Sequence, residues 1–179
     1  MEHGVTRLIE LFNGLFAESY NTRLVAGCGE PIYLPADNQT PYNQVVFAHG
    51  YFASVMHEVA HWCVAGKERR LLEDFGYWYR PDGRTSEQQA EFELVEVKPQ
   101  AMEWIFTQAS KRKFHASADN LSGDEHDDSR FRFAVAKQAR HYIQDGLPER
   151  AAAWSKVLHD EFGGELETDC FRWLDEPKN

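Results

Sequence analysis

The segment FAHGYFASVMHEVAHWCVAG, residues Phe47–Gly66, constrains this chain more than any other, because it combines helical periodicity with two histidines four residues apart. Its apolar residues recur every three or four positions and would form one packed helix face. The opposite stripe carries the histidines among small residues that leave open space. The segment therefore predicts a helix over Phe52–Ala65, entered through a turn at Gly50 and ended by a left-handed cap at Gly66. The predicted core face is Phe52, Val55, Met56, Val59 and Cys63, and the small residues opposite are Gly50, Ser54 and Ala65.

His57 and His61 would be neighbours on one face of this helix and could place two imidazole nitrogens on one ion. Glu58 follows the first histidine directly, which gives the pattern His-Glu-x-x-His. On a helix this pattern is typical of metal sites in which the glutamate faces a bound water. The alternative is an ordinary amphipathic helix with two partly exposed histidines. The small residues around both histidines favour the metal site.

A catalytic metal needs a third protein ligand, which leaves at least one coordination position open. Spacing alone does not select this ligand. An uninterrupted helix through Glu96 would also carry a polar stripe of Glu93, Glu96, Gln100 and Glu103, which is usually a solvated face. The candidates from the residues alone are Asp74, Glu91, Glu93, Glu96, the acids of Asp124–Asp128, His49 and His115.

The rest of the chain predicts helices with a few short strands. Because regular crossovers do not separate the strands, an α+β fold with a small sheet is favoured over a doubly wound α/β sheet. Pro99 would kink the second central helix or restart it. The predicted helices are Val5–Tyr20 with Thr6 as cap, Phe92–Ser110, Ser129–Gly146 stopped by its glycine, and one from Pro148 to Gly163; the predicted strands are Ile32–Leu34, Gln44–His49 and Phe75–Gly83.

The composition predicts one catalytic domain over residues 1–179, with a weakly patterned tail after about residue 165. The formal net charge of −10 argues against nucleic acid or an anionic membrane as partner and is compatible with a cationic substrate. Three cysteines without a CxxC motif indicate free thiols in a reducing compartment. No apolar run approaches about 18 residues, so we expect a cytoplasmic protein.

Four blocks of the sequence resemble the elongation factor P hydroxylase family. The similarity extends over nearly the whole chain and is weakest after about residue 150. These blocks are far more specific than the five-residue metal motif. They are EPIYLPAD (Glu30–Asp37), PYNQVVFAHGYFASVMHEVAHWCVAGKERR (Pro41–Arg70), DFGYWYRPDGR (Asp74–Arg84) and FELVEVKPQAMEW (Phe92–Trp104).

The resemblance implies a metal-dependent hydroxylase that acts on a lysine of translation elongation factor P after that lysine has received a β-lysyl group. It also implies a zincin-like helix and a triad of two histidines and one carboxylate, which falls on His57, His61 and Glu96. Attack on an unactivated C–H bond requires a redox-active metal, which zinc is not, so we expect Fe(II) with dioxygen as cosubstrate. No motif identifies 2-oxoglutarate or a flavin, so any organic cosubstrate stays open.

Two other classes of function compete with this interpretation. In a zinc metallohydrolase, Glu58 would be the general base that activates zinc-bound water. In a hydroxylase, Glu58 would instead orient a metal-bound species or the cationic amine of the substrate. A non-catalytic adaptor with a structural metal is the third possibility, but structural zinc sites are usually closed by four ligands.

Overall fold

The computed structural model describes residues 4–74, 85–117 and 128–173. These residues form five α-helices, three β-strands and two short 3₁₀ turns, at Arg69–Leu71 and Thr168–Cys170. The predicted α+β class, rich in helix with a small sheet, is confirmed. The helices are α1 (Val5–Phe16), α2 (Phe52–Val64), α3 (Ser86–Ala109), α4 (Ser129–Asp145) and α5 (Glu149–Phe162), and the strands are β1 (Thr22–Gly27), β2 (Ile32–Leu34) and β3 (Asn43–Ala48).

The three strands form one mixed sheet in the order β1-β3-β2. Strand β1 runs parallel to β3, with Thr22 opposite Asn43 and Gly27 opposite Ala48, and β2 runs antiparallel to β3. The strands β2 and β3 were predicted, whereas β1 was not. Strand β1 has six residues, and its buried positions are Thr22 and Leu24. So short and partly polar a segment gives little periodic signal before its pairing with β3 is known.

The core lies between the sheet and the helices, and α2 and α3 pack against each other within it. The predicted apolar face of α2 is confirmed, because each of its five residues is at most 5% exposed. Trp62 extends this face into an aromatic cluster, with ring centroids 5.3 Å from Phe12 and 4.8 Å from Phe16. Because this apolar face is buried in the core, the opposite face of α2, which carries the histidines, is turned towards α3.

Several helix ends differ from the prediction. Gly4, not Thr6, is the residue before α1, and Ala65 is extended after α2, so a left-handed cap at Gly66 is wrong. Helix α3 begins at Ser86 rather than Phe92, because Thr85 and Gln88 form a capping box there. Pro99 lies inside this one helix and does not restart it.

The glycine turns that frame the helices were predicted correctly. Gly50 has a φ of 70° before α2, Gly146 a φ of 101° after α4 and Gly163 a φ of 69° after α5. The predicted strand Phe75–Gly83 and the acids Asp124–Asp127 lie outside the described residues. Within the described part of the chain, every helix is too short or too polar to cross a membrane.

Candidate metal centre

The turn between β3 and α2 sets the orientation of the histidine-bearing helix. His49 and Gly50 both have positive φ values, 50° and 70°, which reverse the chain within two residues. The hydroxyl oxygen of Ser54 then accepts a hydrogen bond of 2.8 Å from the backbone N–H of Ala48. Helix α2 is thus joined to the end of the central strand of the sheet. A fixed helix holds its side chains more accurately than a loop would.

His57 and His61 meet Glu96 of α3 on the open face of α2. The Nε2 atoms of the two histidines are 3.0 Å apart. The carboxylate of Glu96 lies 3.2 Å from Nε2 of His61 and 3.9 Å from Nε2 of His57. Among the described residues, this is the group of histidine, cysteine and acidic side chains whose atoms could hold one metal ion.

The donor set fits a divalent metal. Two donor atoms that each lie about 2.1 Å from one ion, at about a right angle, are about 3.0 Å apart. The His57–His61 and His61–Glu96 separations match this spacing. His57, His61 and Glu96 would give such an ion three protein ligands, which would leave further coordination positions for exchangeable ligands.

Glu103 holds the ring of His57 from the side opposite the triad. Its carboxylate oxygen lies 2.8 Å from Nδ1 of His57. A carboxylate at Nδ1 stabilises the tautomer that has its proton on that nitrogen, so Nε2 keeps a lone pair for a metal. Glu103 is only 9% exposed, so little water competes for this contact. Spacing had placed Glu103 on a polar stripe but gave it no role.

That polar stripe of α3 is buried, not solvated. Gln100 donates 2.6 Å to the carbonyl of Ser117 and accepts 3.1 Å from the N–H of the same residue. It also donates at 3.4 Å to Glu96. Because α3 packs on α2, the stripe faces the histidines and fills the interface with hydrogen-bonded groups. Its buried members are Glu96, Gln100 and Glu103, whereas Glu93 is half-buried.

In the metal-free protein, the charged groups of the site shift the pKa values of one another. Burial disfavours a charged His57, but the hydrogen bond and charge of Glu103, with Glu96 and Glu58 nearby, raise the pKa of this imidazole to about 10. Burial likewise disfavours a charged Glu96, yet His61 and His57 lower the pKa of its carboxyl to about 2. The site therefore keeps the Glu96 carboxylate ionised and His57 protonated until a cation replaces the proton.

Glu58 lies beside the triad and is not part of it. It lines a cavity of about 280 Å³ together with His61. Burial raises the pKa of its carboxyl, and the nearby imidazoles only partly offset this effect. The structure thus brings together all four residues that the sequence singled out, with Glu58 facing the cavity and the other three facing one another.

The alternative third ligands are placed elsewhere. Asp74 pairs with the guanidinium of Arg69, and Glu93 accepts a hydrogen bond of 3.1 Å from Gln89. Glu91, His49 and His115 are exposed. Among the described candidates, Glu96 alone is brought to both histidines.

A helix-borne group of two histidines and one carboxylate that could hold a metal ion is typical of one class of metal-dependent enzyme. The sequence model of the elongation factor P hydroxylase family matches residues 11–171, and the chain belongs to this family. A curated relative from Haemophilus influenzae, named elongation factor P lysine hydroxylase, is 56% identical over 158 residues, which are 88% of this chain and 89% of that protein. The expectation of a hydroxylase is confirmed.

Proposed function

We propose that this protein hydroxylates the lysine of elongation factor P that already carries a β-lysyl group, with Fe(II), dioxygen and an electron donor that supplies the two electrons needed to reduce the second oxygen atom to water. The observation that carries the proposal is the His57–His61–Glu96 triad in a member of the elongation factor P hydroxylase family. The 56% identical relative is named as a lysine hydroxylase of the same factor. So high an identity over most of both chains supports the same substrate.

The donor set supports a redox metal. Hydroxylation of an aliphatic C–H bond needs an oxidant that zinc cannot supply, because zinc has no redox chemistry. Two histidines and one carboxylate are the set that non-haem Fe(II) oxygenases use. The bound iron would supply the activation of dioxygen.

The protein's own groups would hold the metal and prepare its surroundings. His57, His61 and Glu96 would each give one donor atom. Glu103 would keep the proton of His57 on Nδ1 and the ring in place. Burial of Glu96 at 2% exposure excludes water from the carboxylate that must neutralise the ion.

The proposal is tested with purified elongation factor P that carries the β-lysyl group. Protein purified without oxygen is loaded with Fe(II), mixed with the factor and a chemical reductant such as ascorbate, and then exposed to air, and the mass of the factor is measured by mass spectrometry. We expect a gain of one oxygen atom on the modified lysine, and no gain in a parallel sample without oxygen. Peptide cleavage without oxygen would contradict the proposal and support a metallohydrolase.

The matched variants are Glu96→Ala and Glu93→Ala, which change two glutamates on the same helix. Glu96→Ala should lose the bound iron and the product together. Glu93→Ala should keep both, because Glu93 is engaged by Gln89 and does not reach the histidines. Full iron content in Glu96→Ala would show that another group is the third ligand.

A further inference from the structure

The cavity beside the triad combines apolar walls with acceptors that lack donors. It lies between the sheet and the interface of α2 and α3, where Ile32 and Val45 come from the strands and Val95 and Pro99 from α3. His61 and Glu58 of α2 border it as well, so it adjoins the metal centre directly. Its volume of about 280 Å³ is enough for a long, narrow side chain rather than a folded segment.

Glu58 is an unpaired acceptor at this cavity. Its side chain makes no hydrogen bond or close ion pair with any residue in the described part of the chain. Arg69 and Arg70 also line the cavity but have other contacts, since Arg69 pairs with Asp74 and the guanidinium of Arg70 lies over the ring of Tyr20. A partly buried carboxylate without a partner is costly unless a ligand supplies one.

Pro99 creates a second acceptor on the neighbouring helix. In an uninterrupted helix, the residue at this position donates its N–H to the carbonyl oxygen of Val95, one turn earlier. Proline has no N–H, so the carbonyl oxygen of Val95 loses that donor. Val95 and Pro99 both line the cavity, so this missing hydrogen bond of α3 lies next to the cavity. A proline inside a buried helix is unfavourable for stability, which suggests that it serves another purpose.

On the basis of the proposed function, we propose that this cavity receives the β-lysyl-extended lysine side chain of the substrate, and that Glu58 and the carbonyl oxygen of Val95 bind a primary ammonium of the β-lysyl group. An ammonium has three donors and no acceptor, so two oxygens without donors complement it. The apolar walls complement the aliphatic stem of the chain. The carbons of that stem would then lie next to His61 and the metal, where hydroxylation takes place.

The test measures binding without turnover. The probes are two synthetic peptides that carry the β-lysyl-extended lysine, one with free amines and one with those amines acetylated. Zinc-loaded protein is titrated with each peptide by calorimetry, because zinc cannot support oxidation. We expect the free-amine peptide to bind about tenfold or more tightly than the acetylated peptide, since hydrogen bonds to charged groups are among the strongest.

Two variants test the two acceptors, and a third serves as the control. Glu58→Gln should remove most of the preference for the free amine. Pro99→Ala should reduce it several-fold, because the restored N–H occupies the carbonyl of Val95, while the thermal midpoint stays at or above that of the parent protein. Leu94→Ala, at a position 76% exposed on the same helix, should change neither the preference for the free amine nor the thermal midpoint. Zinc affinity is measured separately for all three variants, so that the peptide titrations compare fully zinc-loaded proteins.

Equal binding of the two peptides, or an unchanged preference in Glu58→Gln, would overturn the proposal. An unchanged preference in Pro99→Ala would remove Val95 from the site. These readouts need no dioxygen and no product. A protein that failed to hydroxylate elongation factor P would therefore still give a clear answer about the cavity.

Discussion

At the scale of single residues, Glu103 is the group that connects the fold to the metal centre. It is buried on α3 and holds Nδ1 of His57 at 2.8 Å. Removing such a partner from a ligating histidine typically weakens metal binding by about 10–100-fold. We therefore expect Glu103→Ala to raise the metal dissociation constant by about this factor, measured by competition with a chelator.

The control for Glu103 is Glu93→Ala, which removes a carboxylate from the same helix without touching a histidine. Both variants should give circular dichroism spectra like that of the parent protein. A metal dissociation constant for Glu103→Ala within twofold of the Glu93→Ala value would contradict the positioning role.

The protonation of His57 predicts how metal binding depends on pH. Its pKa is raised to about 10 in the metal-free protein, so at pH 7 the imidazole carries a proton that the metal must displace from Nε2. We expect about one proton released per metal bound, and an apparent affinity that rises about tenfold per pH unit below the pKa. Calorimetry in buffers of different ionisation enthalpy measures this release. A binding enthalpy independent of the buffer would contradict it.

At the scale of elements, α2 is held at its far end by Arg150 at the start of α5. The Arg150 guanidinium donates to the carbonyls of Cys63 and Ala65, at 3.1 and 2.6 Å, and lies 4.6 Å from the centre of the Trp62 ring. These carbonyls lie at the end of the helix, where a cation is favoured. Arg150→Ala should lower the free energy of unfolding by about 2–3 kcal/mol, measured in urea.

Lysine would not replace this arginine well, because it has no planar fork to reach both carbonyls. The matched control is Arg172→Ala, which removes an exposed arginine whose contact with Asp169 is 3.3 Å. Exposed ion pairs contribute about 0–1 kcal/mol, so this change should be small. Equal losses in the two variants would show that Arg150 does not hold α2 specifically.

Helices were predicted correctly from the sequence where the spacing of apolar residues along one face defines the helix. The apolar face of α2 has a clear period and was predicted residue by residue. Helix α3 was predicted too short, because its first turn is polar and depends on the capping box of Thr85 and Gln88. The stripe through Glu96 and Glu103 has the same spacing whether water or α2 covers it. Only the packing of the two helices shows that it is buried.

At the scale of the whole molecule, the fold brings two distant parts of the chain to one point. Strand β3 and its turn fix α2, and α3 then places Glu96 and Glu103 against two histidines about 40 residues earlier in the sequence. Periodicity alone left several third ligands open, since it contains no information about which helices meet. The sequence indicated a role for Glu103 only through its spacing, because it follows Gln100 on the same polar stripe of α3.

Isotope labelling tests most directly whether the His57–His61–Glu96 triad supports oxidation by dioxygen. Protein loaded with Fe(II) is incubated with β-lysyl-modified elongation factor P and a chemical reductant under ¹⁸O-labelled dioxygen in ordinary water, and the modified lysine is analysed by mass spectrometry. We expect one ¹⁸O atom in the product of the parent protein and no product from His57→Ala or His61→Ala. A product that contains only oxygen from water would contradict the account.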